Sequence, residues 1–198
     1  MYAVDVSALR GREGAALALL SPERHEKALR IKRESARLLS IGAALLLRKY
    51  IGDTPLILSP EGKPRAEGAP CFNLSHSGTL AVLAVAPNDV GADTECITPP
   101  RRALFPRVFT MEESAYIADD AERFTRLWTR KEAVLKCCGC GISRAMNDFS
   151  VLTDTATMDG TAYFLHSERY RDSVISAACT EGDPRFTVIE VSADDLLR

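Results

Sequence analysis

Two acidic residues stand two positions apart in a strand predicted for residues 90–97: Asp93 and Glu95. Alternate residues of a strand face the same side, so both carboxylates point into one space while Thr94 points away. Two anions this close repel each other unless a cation or a proton separates them. Mg²⁺ suits such a pair, because it binds hard oxygen ligands and completes its coordination with water and substrate phosphates. The alternative is a solvent-exposed strand end with ordinary surface acids, since Asp-x-Glu is a common pattern.

A third acidic residue lies on a predicted helix at residues 123–138, where Glu132 and Lys136 are four positions apart and share one face. That face borders an apolar stripe, where a core meets a cleft. A glutamate there is partly desolvated and can serve as metal ligand or general base, and the lysine can hold a phosphate. The simpler alternative is an ion pair on the helix surface. Lys131 falls inside the apolar stripe, which a simple core does not explain.

Small polar residues and a histidine lie between apolar residues in Phe72-Asn73-Leu74-Ser75-His76-Ser77-Gly78. We interpret this segment as a tight functional loop that contacts a phosphate or a nucleotide. A Ser-His nucleophile pair is less favoured, because adjacent residues rarely form the hydrogen bond of a hydrolase and no G-x-S-x-G elbow is present. The remaining alternative is a turn whose hydroxyls bond the backbone.

Positive charge is concentrated in residues 21–50, where eight lysines and arginines face three acidic residues and give a net charge of +5. Arg24 and Lys27 are three positions apart on the predicted helix and can point the same way. Such a face can present cations to a polyphosphate. On this segment alone, a solvated helix face with local ion pairs is the favoured interpretation.

The composition, with 46% hydrophobic and 26% charged residues in a chain of 198, is typical of a globular protein. The formal net charge of −2 argues against a general nucleic-acid-binding protein. The first residues do not resemble a secretory signal. The longest apolar stretch, residues 38–47, is shorter than the roughly 20 residues of a membrane span. We therefore expect a cytoplasmic protein that has neither nucleic acid nor a membrane as a partner.

The six cysteines are too sparse for a disulfide scaffold, and we expect reduced thiols. Cys137, Cys138 and Cys140 invite a zinc interpretation, but structural zinc needs about four ligands at suitable spacing. Packing as small hydrophobic side chains at a helix end is the favoured interpretation.

Helices and strands are mixed in both halves of the chain, which predicts the α+β class. Ser21 and Pro22 begin a helical pattern that continues, with one interruption, to residue 50. Thr110 and Glu113 form a predicted capping box. Strands are predicted at residues 2–6, 56–58, 81–86, 90–97, 149–152, 162–165, 174–179 and 186–191.

In order and spacing, the motifs resemble those of the 4′-phosphopantetheinyl transferases of the surfactin-synthetase-activating type. The resemblance spans roughly residues 21–143, and beyond them it is only a pattern of strands. Any one motif is weak, but the ordered set is specific. The motifs are Ser21-Pro22-Glu23-Arg24, Gly62-Lys63-Pro64, the 72–78 segment, Val90-Gly91-Ala92-Asp93-Thr94-Glu95 and Trp128-x-x-Lys131-Glu132-x-x-x-Lys136-x-x-Gly139-x-Gly141.

The resemblance implies a pseudo-dimer of two similar α+β lobes, residues 1–100 and 101–198, with the active site between them. The first lobe would carry the coenzyme A clamp and the Asp-x-Glu strand, and the second the Trp128 to Lys136 helix and a carrier-protein dock. The implied activity is transfer of the 4′-phosphopantetheine arm of coenzyme A to a serine of an apo acyl or peptidyl carrier protein, with release of 3′,5′-ADP. A monomer is expected.

The resemblance also assigns roles to individual residues. Asp93, Glu95 and Glu132 match the family's Mg²⁺ ligands, with Mn²⁺ as the alternative metal. Glu132 also matches its proposed general base, and Lys136 a catalytic lysine near the pyrophosphate. The residues that match coenzyme A contacts are Arg24, Lys27, Lys63, Ser75, His76, Asp93 and Lys136, with His76 close to the 3′-phosphate.

Two other classes of function stay open on the sequence. One is a coenzyme A or carrier-protein binding module without catalysis, although a pure binder has no need of a base such as Glu132. The other is a metal-dependent phosphoesterase, although the second His-rich or Asp-rich cluster of two-metal hydrolases is missing from the sequence.

Overall fold

The computed structural model describes residues 1–60, 62–141 and 145–198. Its mixture of helices with two larger, mainly antiparallel sheets confirms the predicted α+β class. The helices are α1 (Glu13–Ala18), α2 (Pro22–Leu29), α3 (Glu34–Tyr50), α4 (Phe105–Val108), α5 (Met111–Ile117), α6 (Ala121–Cys138) and α7 (Ala193–Leu196). The strands are β1 (Tyr2–Asp5), β2 (Leu56–Leu58), β3 (Pro64–Ala66), β4 (Cys71–Ser77), β5 (Leu80–Ala86), β6 (Val90–Cys96), β7 (Thr155–Met158), β8 (Thr161–Tyr170), β9 (Ser173–Cys179) and β10 (Ile189–Glu190).

The first sheet has the strand order β10-β1-β5-β4, and α3 packs against it. The position of β5 in the fold explains why its sequence is apolar throughout. Ala81 and Leu83 belong to the core formed with α3, whereas Leu80 and Val82 pack on the opposite face against Ile175 of β9. Because both faces of β5 are covered, the strand has a continuous hydrophobic run instead of an alternating pattern.

The second sheet has the order β6-β9-β8-β7, and α6 packs against it. Gly91 of β6 lies directly under α6, where a Cβ atom would collide with the backbone of Ala133 and Cys137. Glycine therefore permits the helix that carries Glu132 to approach the strand that carries Asp93. In the described part of the chain, no helix has the length and apolar character of a membrane span.

Strand pairing links the two halves of the sequence. β6 pairs with β9 of the second half, and β10 returns to pair in parallel with β1. The division into lobes at residue 100 stays a prediction.

Most predicted elements are confirmed within a few residues. The helical pattern of residues 21–50 is two helices, α2 and α3, separated by the predicted interruption. The capping box is present, with Thr110 Oγ1 accepting from the Glu113 amide and the Glu113 carboxylate accepting from the Thr110 amide. At the C-terminus, only Ile189–Glu190 of the predicted 186–191 strand pairs with a neighbour.

The predicted strand at residues 149–152 is wrong, because side chains from distant helices bind the backbone groups that a strand would need. The Val151 amide donates to Glu113 Oε1 at 2.7 Å, and Arg130 donates to the Val151 carbonyl at 3.0 Å. Lys131 Nζ donates to the carbonyls of Met146 and Phe149. These contacts explain the lysine in the apolar stripe of α6.

The prediction that all six cysteines are reduced thiols is wrong for one pair, because Cys138 and Cys140 are joined by a disulfide. Gly139 ends α6 with a φ of 76°, which turns the chain and brings the two Cα atoms to 5.3 Å. The thiols of Cys71, Cys96, Cys137 and Cys179 are free.

Candidate active site

A cavity of about 620 Å³ is lined by residues of α2, α3, β4, β6 and α6. One wall is basic and apolar, with small side chains from α3. A second wall, from β6 and α6, carries the acidic residues together with Lys136. The predicted site residues that line this cavity are Arg24, Lys27, Ser75, His76, Asp93, Glu95, Glu132 and Lys136. Thus eight of the nine predicted residues share one cavity, and Lys63 is the exception.

The 72–78 segment is not the loop that we expected, since residues 71–77 form strand β4, paired along its length with β5. Three alternate residues of β4 instead turn their polar side chains toward β6. Asn73 Oδ1 accepts from the Ala92 amide at 3.0 Å, Ser75 Oγ from the Thr94 amide at 3.2 Å and Ser77 Oγ from the Cys96 amide at 3.3 Å. These bonds hold β6 beside β4 where the two sheets meet.

The same serines also orient the two carboxylates of β6. Ser75 Oγ donates to Asp93 Oδ1 at 2.7 Å, and Ser77 Oγ donates to Glu95 Oε2 at 2.6 Å. Sequence reasoning missed Asn73 and Ser77 as site residues. The signal was present, because polar residues at every second position predict one polar strand face.

Lys136 reaches across from α6 to the same place. Its Nζ donates to Asp93 Oδ1 at 2.6 Å and to Ser75 Oγ at 3.1 Å. One oxygen of Asp93 is therefore bound by a cation and a hydroxyl. In the described part of the chain its other oxygen, Oδ2, is buried without a hydrogen-bond partner. A buried carboxylate oxygen without a partner is costly and points to a ligand.

Glu95 and Glu132 lie close enough to Asp93 to be affected by its charge. Burial raises the pKa of Glu132, and the neighbouring Asp93 and Glu95 raise it further, against the effect of Lys136. Burial also raises the pKa of Glu95, with a further contribution from Asp93 and an opposing one from the Ser77 hydrogen bond. The two glutamates are thus destabilised as anions, as expected for carboxylates that lack a counter-cation.

This donor set fits a divalent cation, because it offers carboxylate oxygens and one of them, Asp93 Oδ2, is left without a partner. Within the described residues, however, no three His, Cys, Asp or Glu side chains already surround one point closely enough to hold a metal ion. The two glutamates would join Asp93 as ligands of one cation only after their side chains move.

The basic wall comes from α2, where Arg24 and Lys27 line the cavity one helical turn apart. Burial lowers the pKa of Arg24, against the attraction of Glu23 and Asp53. An arginine that is partly withdrawn from water beside a cavity is suited to bind an anion there.

Lys63 has other contacts. Its Nζ donates to the Cys137 carbonyl at 2.8 Å and to Asp89 Oδ1 at 3.1 Å, and its side chain is 7% exposed. It is therefore bound at the C-terminal end of α6, outside the lining of the cavity.

A second cavity, of about 260 Å³, adjoins the first and shares Glu95 and Trp128 with it. Its lining combines the apolar side chains of Leu104, Phe124 and Trp128 with polar and charged ones, including Arg101. Glu95 and Trp128 thus lie at the boundary between the two cavities.

Comparison with known proteins identifies the family of the chain. The family model described as the 4′-phosphopantetheinyl transferase superfamily matches residues 89–181, which include β6, α6 and β9. A 4′-phosphopantetheinyl transferase of Bacillus subtilis is 31% identical over 156 residues, which cover 71% of this chain and 70% of the relative. The chain belongs to the 4′-phosphopantetheinyl transferase superfamily, and the resemblance inferred from the motifs is confirmed.

Other relatives have matching names. The 4′-phosphopantetheinyl transferase AcpT of Salmonella typhimurium is 39% identical over 109 residues, or 48% of this chain and 56% of AcpT. The 4′-phosphopantetheinyl transferase Sfp of Bacillus subtilis (strain 168) is 31% identical over 150 residues, or 68% of this chain and 67% of Sfp. The chain therefore spans little more than half of AcpT and about two thirds of Sfp.

Proposed function

We propose that this protein transfers the 4′-phosphopantetheine arm of coenzyme A to a serine of an apo acyl or peptidyl carrier protein. The observation that carries the proposal is one cavity with Arg24 and Lys27 on one wall and Asp93, Glu132 and Lys136 on the other. A substrate with several phosphates suits the basic wall, and a pyrophosphate that binds together with a divalent cation would suit the acidic one. The names of the relatives support the same activity.

Arg24, Lys27 and His76 bind the 3′-phosphate end of coenzyme A in this proposal, since all three line the cavity. Cations hold phosphate oxygens by charge-assisted hydrogen bonds. The pyrophosphate then lies toward Asp93 and Lys136. Ser75 keeps Asp93 Oδ1 in place from the neighbouring strand, at 2.7 Å.

Asp93, Glu95 and Glu132 would hold the cation, which we propose to be Mg²⁺, with Mn²⁺ as the alternative. When bound there, a divalent cation neutralises charge that develops on the pyrophosphate oxygens. Lys136 Nζ, 2.6 Å from Asp93 Oδ1, is placed to stabilise the leaving phosphate as well.

Glu132 is the proposed general base. It takes the proton from the carrier serine, directly or through a water molecule. The serine oxygen forms a bond to the β-phosphorus, the phosphoanhydride bond breaks, and 3′,5′-ADP leaves with the bonding electron pair. The protein residues proposed to act in this step, Asp93, Glu132 and Lys136, all line the same cavity.

We further propose that the two sheets with their long helices are the two lobes of a pseudo-dimer, with this site between them. The lobes would correspond broadly to residues 1–100 and 101–198, and the protein would act as a cytoplasmic monomer. The second lobe would receive the carrier protein. Carrier proteins are usually acidic, which suits a dock that combines basic and apolar surface.

Incubation with coenzyme A, Mg²⁺ and an apo carrier protein tests the proposal, with intact-protein mass spectrometry as the readout. We expect the carrier to gain one phosphopantetheine and an equal amount of 3′,5′-ADP to appear. A Lys136→Ala variant is the matched control and should show little of either product. Formation of 3′,5′-ADP without modified carrier would identify a phosphoesterase, and coenzyme A binding without either product would identify a binding module.

A further inference from the structure

A disulfide joins the last residue of α6, Cys138, to Cys140, two positions further along the chain. Gly139 lies between them and turns the chain with a φ of 76°. A crosslink between residues so close in sequence removes little entropy from the unfolded chain, so it adds little to the stability of the fold. A role other than stabilisation is therefore indicated.

The end of α6 is also held by bonds that do not involve the disulfide. The Gly139 amide donates to the Leu135 carbonyl at 2.9 Å, which closes the last turn of the helix. Lys63 Nζ donates to the Cys137 carbonyl at 2.8 Å. Neither bond uses a cysteine side chain, so both can persist when the disulfide opens.

The body of α6 is bonded to its neighbours as well. Four of its side chains form these contacts: Thr129 with Ser176 at 2.7 Å, Arg130 with Ser167 at 2.9 Å, Lys131 with Glu113 at 2.9 Å and Lys136 with Asp93 at 2.6 Å. Opening of the disulfide therefore leaves the helix in place. Cys138 and Cys140, both within the described part of the chain, are not among the residues that line the active-site cavity.

The two sulfur atoms of the disulfide differ in access. Cys138 is exposed to solvent, whereas Cys140 is partly buried and packs against the core between α6 and the second sheet. Because the rate of thiol–disulfide exchange depends on which sulfur a thiolate can reach, attack falls on Cys138. Cys140, which lies beyond the end of the helix, is then the leaving group.

The neighbouring thiol of Cys137 does not compete with Cys140. Burial raises the pKa of the Cys137 thiol to about 11, so near neutral pH it forms almost no thiolate. Its Sγ also lies 3.5 Å from the Asp89 carbonyl, which accepts its hydrogen. Exchange at the end of α6 therefore involves the pair formed by Cys138 and Cys140.

We propose that Cys138 and Cys140 form a thiol–disulfide exchange site for low-molecular-weight thiols, with Cys138 as the residue attacked and Cys140 as the resolving residue. Exposed disulfides are more easily reduced than buried structural ones and are the ones that serve reversible chemistry. The inference goes beyond the proposed function and does not depend on it.

The exchange takes place in two steps. The external thiolate forms a mixed disulfide with Cys138 Sγ, the bond between the two cysteines breaks, and Cys140 leaves as a thiolate that takes up a proton. A second external thiolate then attacks the sulfur of the bound thiol, which releases Cys138 as a thiol and yields the external disulfide. The protein gains two electrons and two external thiols lose them. In the reverse direction, the Cys140 thiolate attacks the mixed disulfide and closes the pair.

The first test uses the unmodified protein, so it does not depend on the folding of a variant. The protein is equilibrated in buffers of reduced and oxidised glutathione, quenched with acid and analysed by peptide mapping. We expect the peptide that contains Cys138 and Cys140 to change from disulfide to dithiol within the range of these buffers, whereas a structural crosslink would stay oxidised. Hydrogen exchange should become faster at residues 139–141 on reduction and stay unchanged along residues 121–135.

The second test compares Cys140→Ser with Cys138→Ser in oxidised glutathione. Cys140→Ser removes the resolving thiol, so a glutathione adduct should remain on Cys138. Cys138→Ser should form its adduct on Cys140 roughly tenfold more slowly, because that thiol is partly buried. Cys71→Ser, which removes a partly exposed thiol elsewhere in the chain, is the matched control and should leave the titration of the pair unchanged.

Coenzyme A is also a thiol, so its oxidised form replaces glutathione in a second arm of the Cys140→Ser experiment. A faster adduct in one arm identifies the thiol that the site prefers, and adducts in both arms support the site. The inference is overturned if the pair keeps two free thiols in the most oxidising buffer or stays oxidised in the most reducing one. It is equally overturned if Cys138→Ser and Cys140→Ser form adducts at the same rate.

Discussion

Lys131 Nζ lies 2.9 Å from Glu113 Oε2, and neither side chain is exposed to solvent. The pair joins α6 to the first turn of α5. The Glu113 carboxylate also accepts from the Thr110 and Val151 amides, so one buried anion has three partners. Burial lowers the pKa of Lys131, and its bond to Glu113 opposes that change. Lys131 directly precedes Glu132 but does not line the cavity, so this pair fixes the helix next to a cavity residue without taking part in the lining.

Removing one partner of this pair is expected to destabilise the fold strongly. Lys131→Met should lower the free energy of unfolding by about 3–5 kcal/mol, because it leaves a buried carboxylate without its cation. The double variant Lys131→Met with Glu113→Gln should be less destabilised than the sum of the single changes. Denaturant unfolding of the four proteins measures both quantities. Strictly additive losses would show that the pair contributes no coupling.

The metal site is tested at Asp93, whose Oδ2 is the buried oxygen without a hydrogen-bond partner among the described residues. Asp93→Ala should abolish most turnover at low Mg²⁺ and leave the far-ultraviolet circular dichroism unchanged. Glu95→Ala should act in the same direction. The measurement is initial rate against Mg²⁺ concentration for each variant. Turnover near the native rate at low Mg²⁺ in either variant would remove that residue from the proposed site.

The ligand clamp is tested with coenzyme A and its 3′-dephospho form. His76→Ala and Lys27→Ala should weaken coenzyme A by about 1.5–3 kcal/mol, the value of a charge-assisted hydrogen bond, and affect the dephospho form less. His76→Ala should show the larger difference. Arg30→Ala is the control, since Arg30 lies directly after α2 but is exposed and paired with Glu26. Equal losses for both ligands would show that these residues do not bind the 3′-phosphate.

Thiol labelling tests the environment at the end of α6. Burial raises the pKa of the Cys137 thiol to about 11, so at pH 8 it carries almost no reactive thiolate. Cys71 and Cys96 are partly exposed and should be alkylated first in the native protein. Cys138 and Cys140 should become reactive only after reduction of their disulfide. Peptide mapping after timed alkylation gives the order, and early labelling of Cys137 would contradict it.

The sequence predicted most elements and eight of the residues around the cavity, because both depend on local patterns. Hydrophobic patterns, such as the apolar stripe of α6 and the continuous apolar run of β5, identified these elements without knowledge of their partners. The Asp-x-Glu and Glu-x-x-x-Lys spacings determined which side chains share a face within one element. What they left open was how β6 and α6 face each other, which depends on the whole fold.

The remaining features depend on partners far away in the chain. The alternate polar residues of β4 predict a polar strand face, but they do not show that this face meets β6 and not solvent. Lys63 binds a carbonyl 74 positions away. In the segment at residues 149–152, the backbone bonds to Glu113 and to side chains of α6 instead of to a neighbouring strand. Contacts of this kind follow from tertiary packing, so neither residue spacing nor composition could have revealed them.

Glu132 has two proposed roles, as a metal ligand beside Asp93 and Glu95 and as the general base. Glu132→Gln keeps the size and one oxygen of the side chain but removes its charge and basicity. We expect the variant to bind coenzyme A with near-native affinity, because the basic wall and both carboxylates of β6 remain. Transfer should fall by at least the roughly 10²-fold typical of a lost general base.

The dependence of this variant on Mg²⁺ separates the two roles of Glu132. If the lost base is the main defect, a high Mg²⁺ concentration restores little activity, since metal occupancy is not limiting. Asp93→Asn is the comparison, because it removes a charge from the metal site and leaves the base in place; its activity should recover more with added metal. The measurement is the single-turnover transfer rate across a Mg²⁺ titration. Recovery of Glu132→Gln to the native rate would make Glu132 a ligand only and assign proton removal to another group.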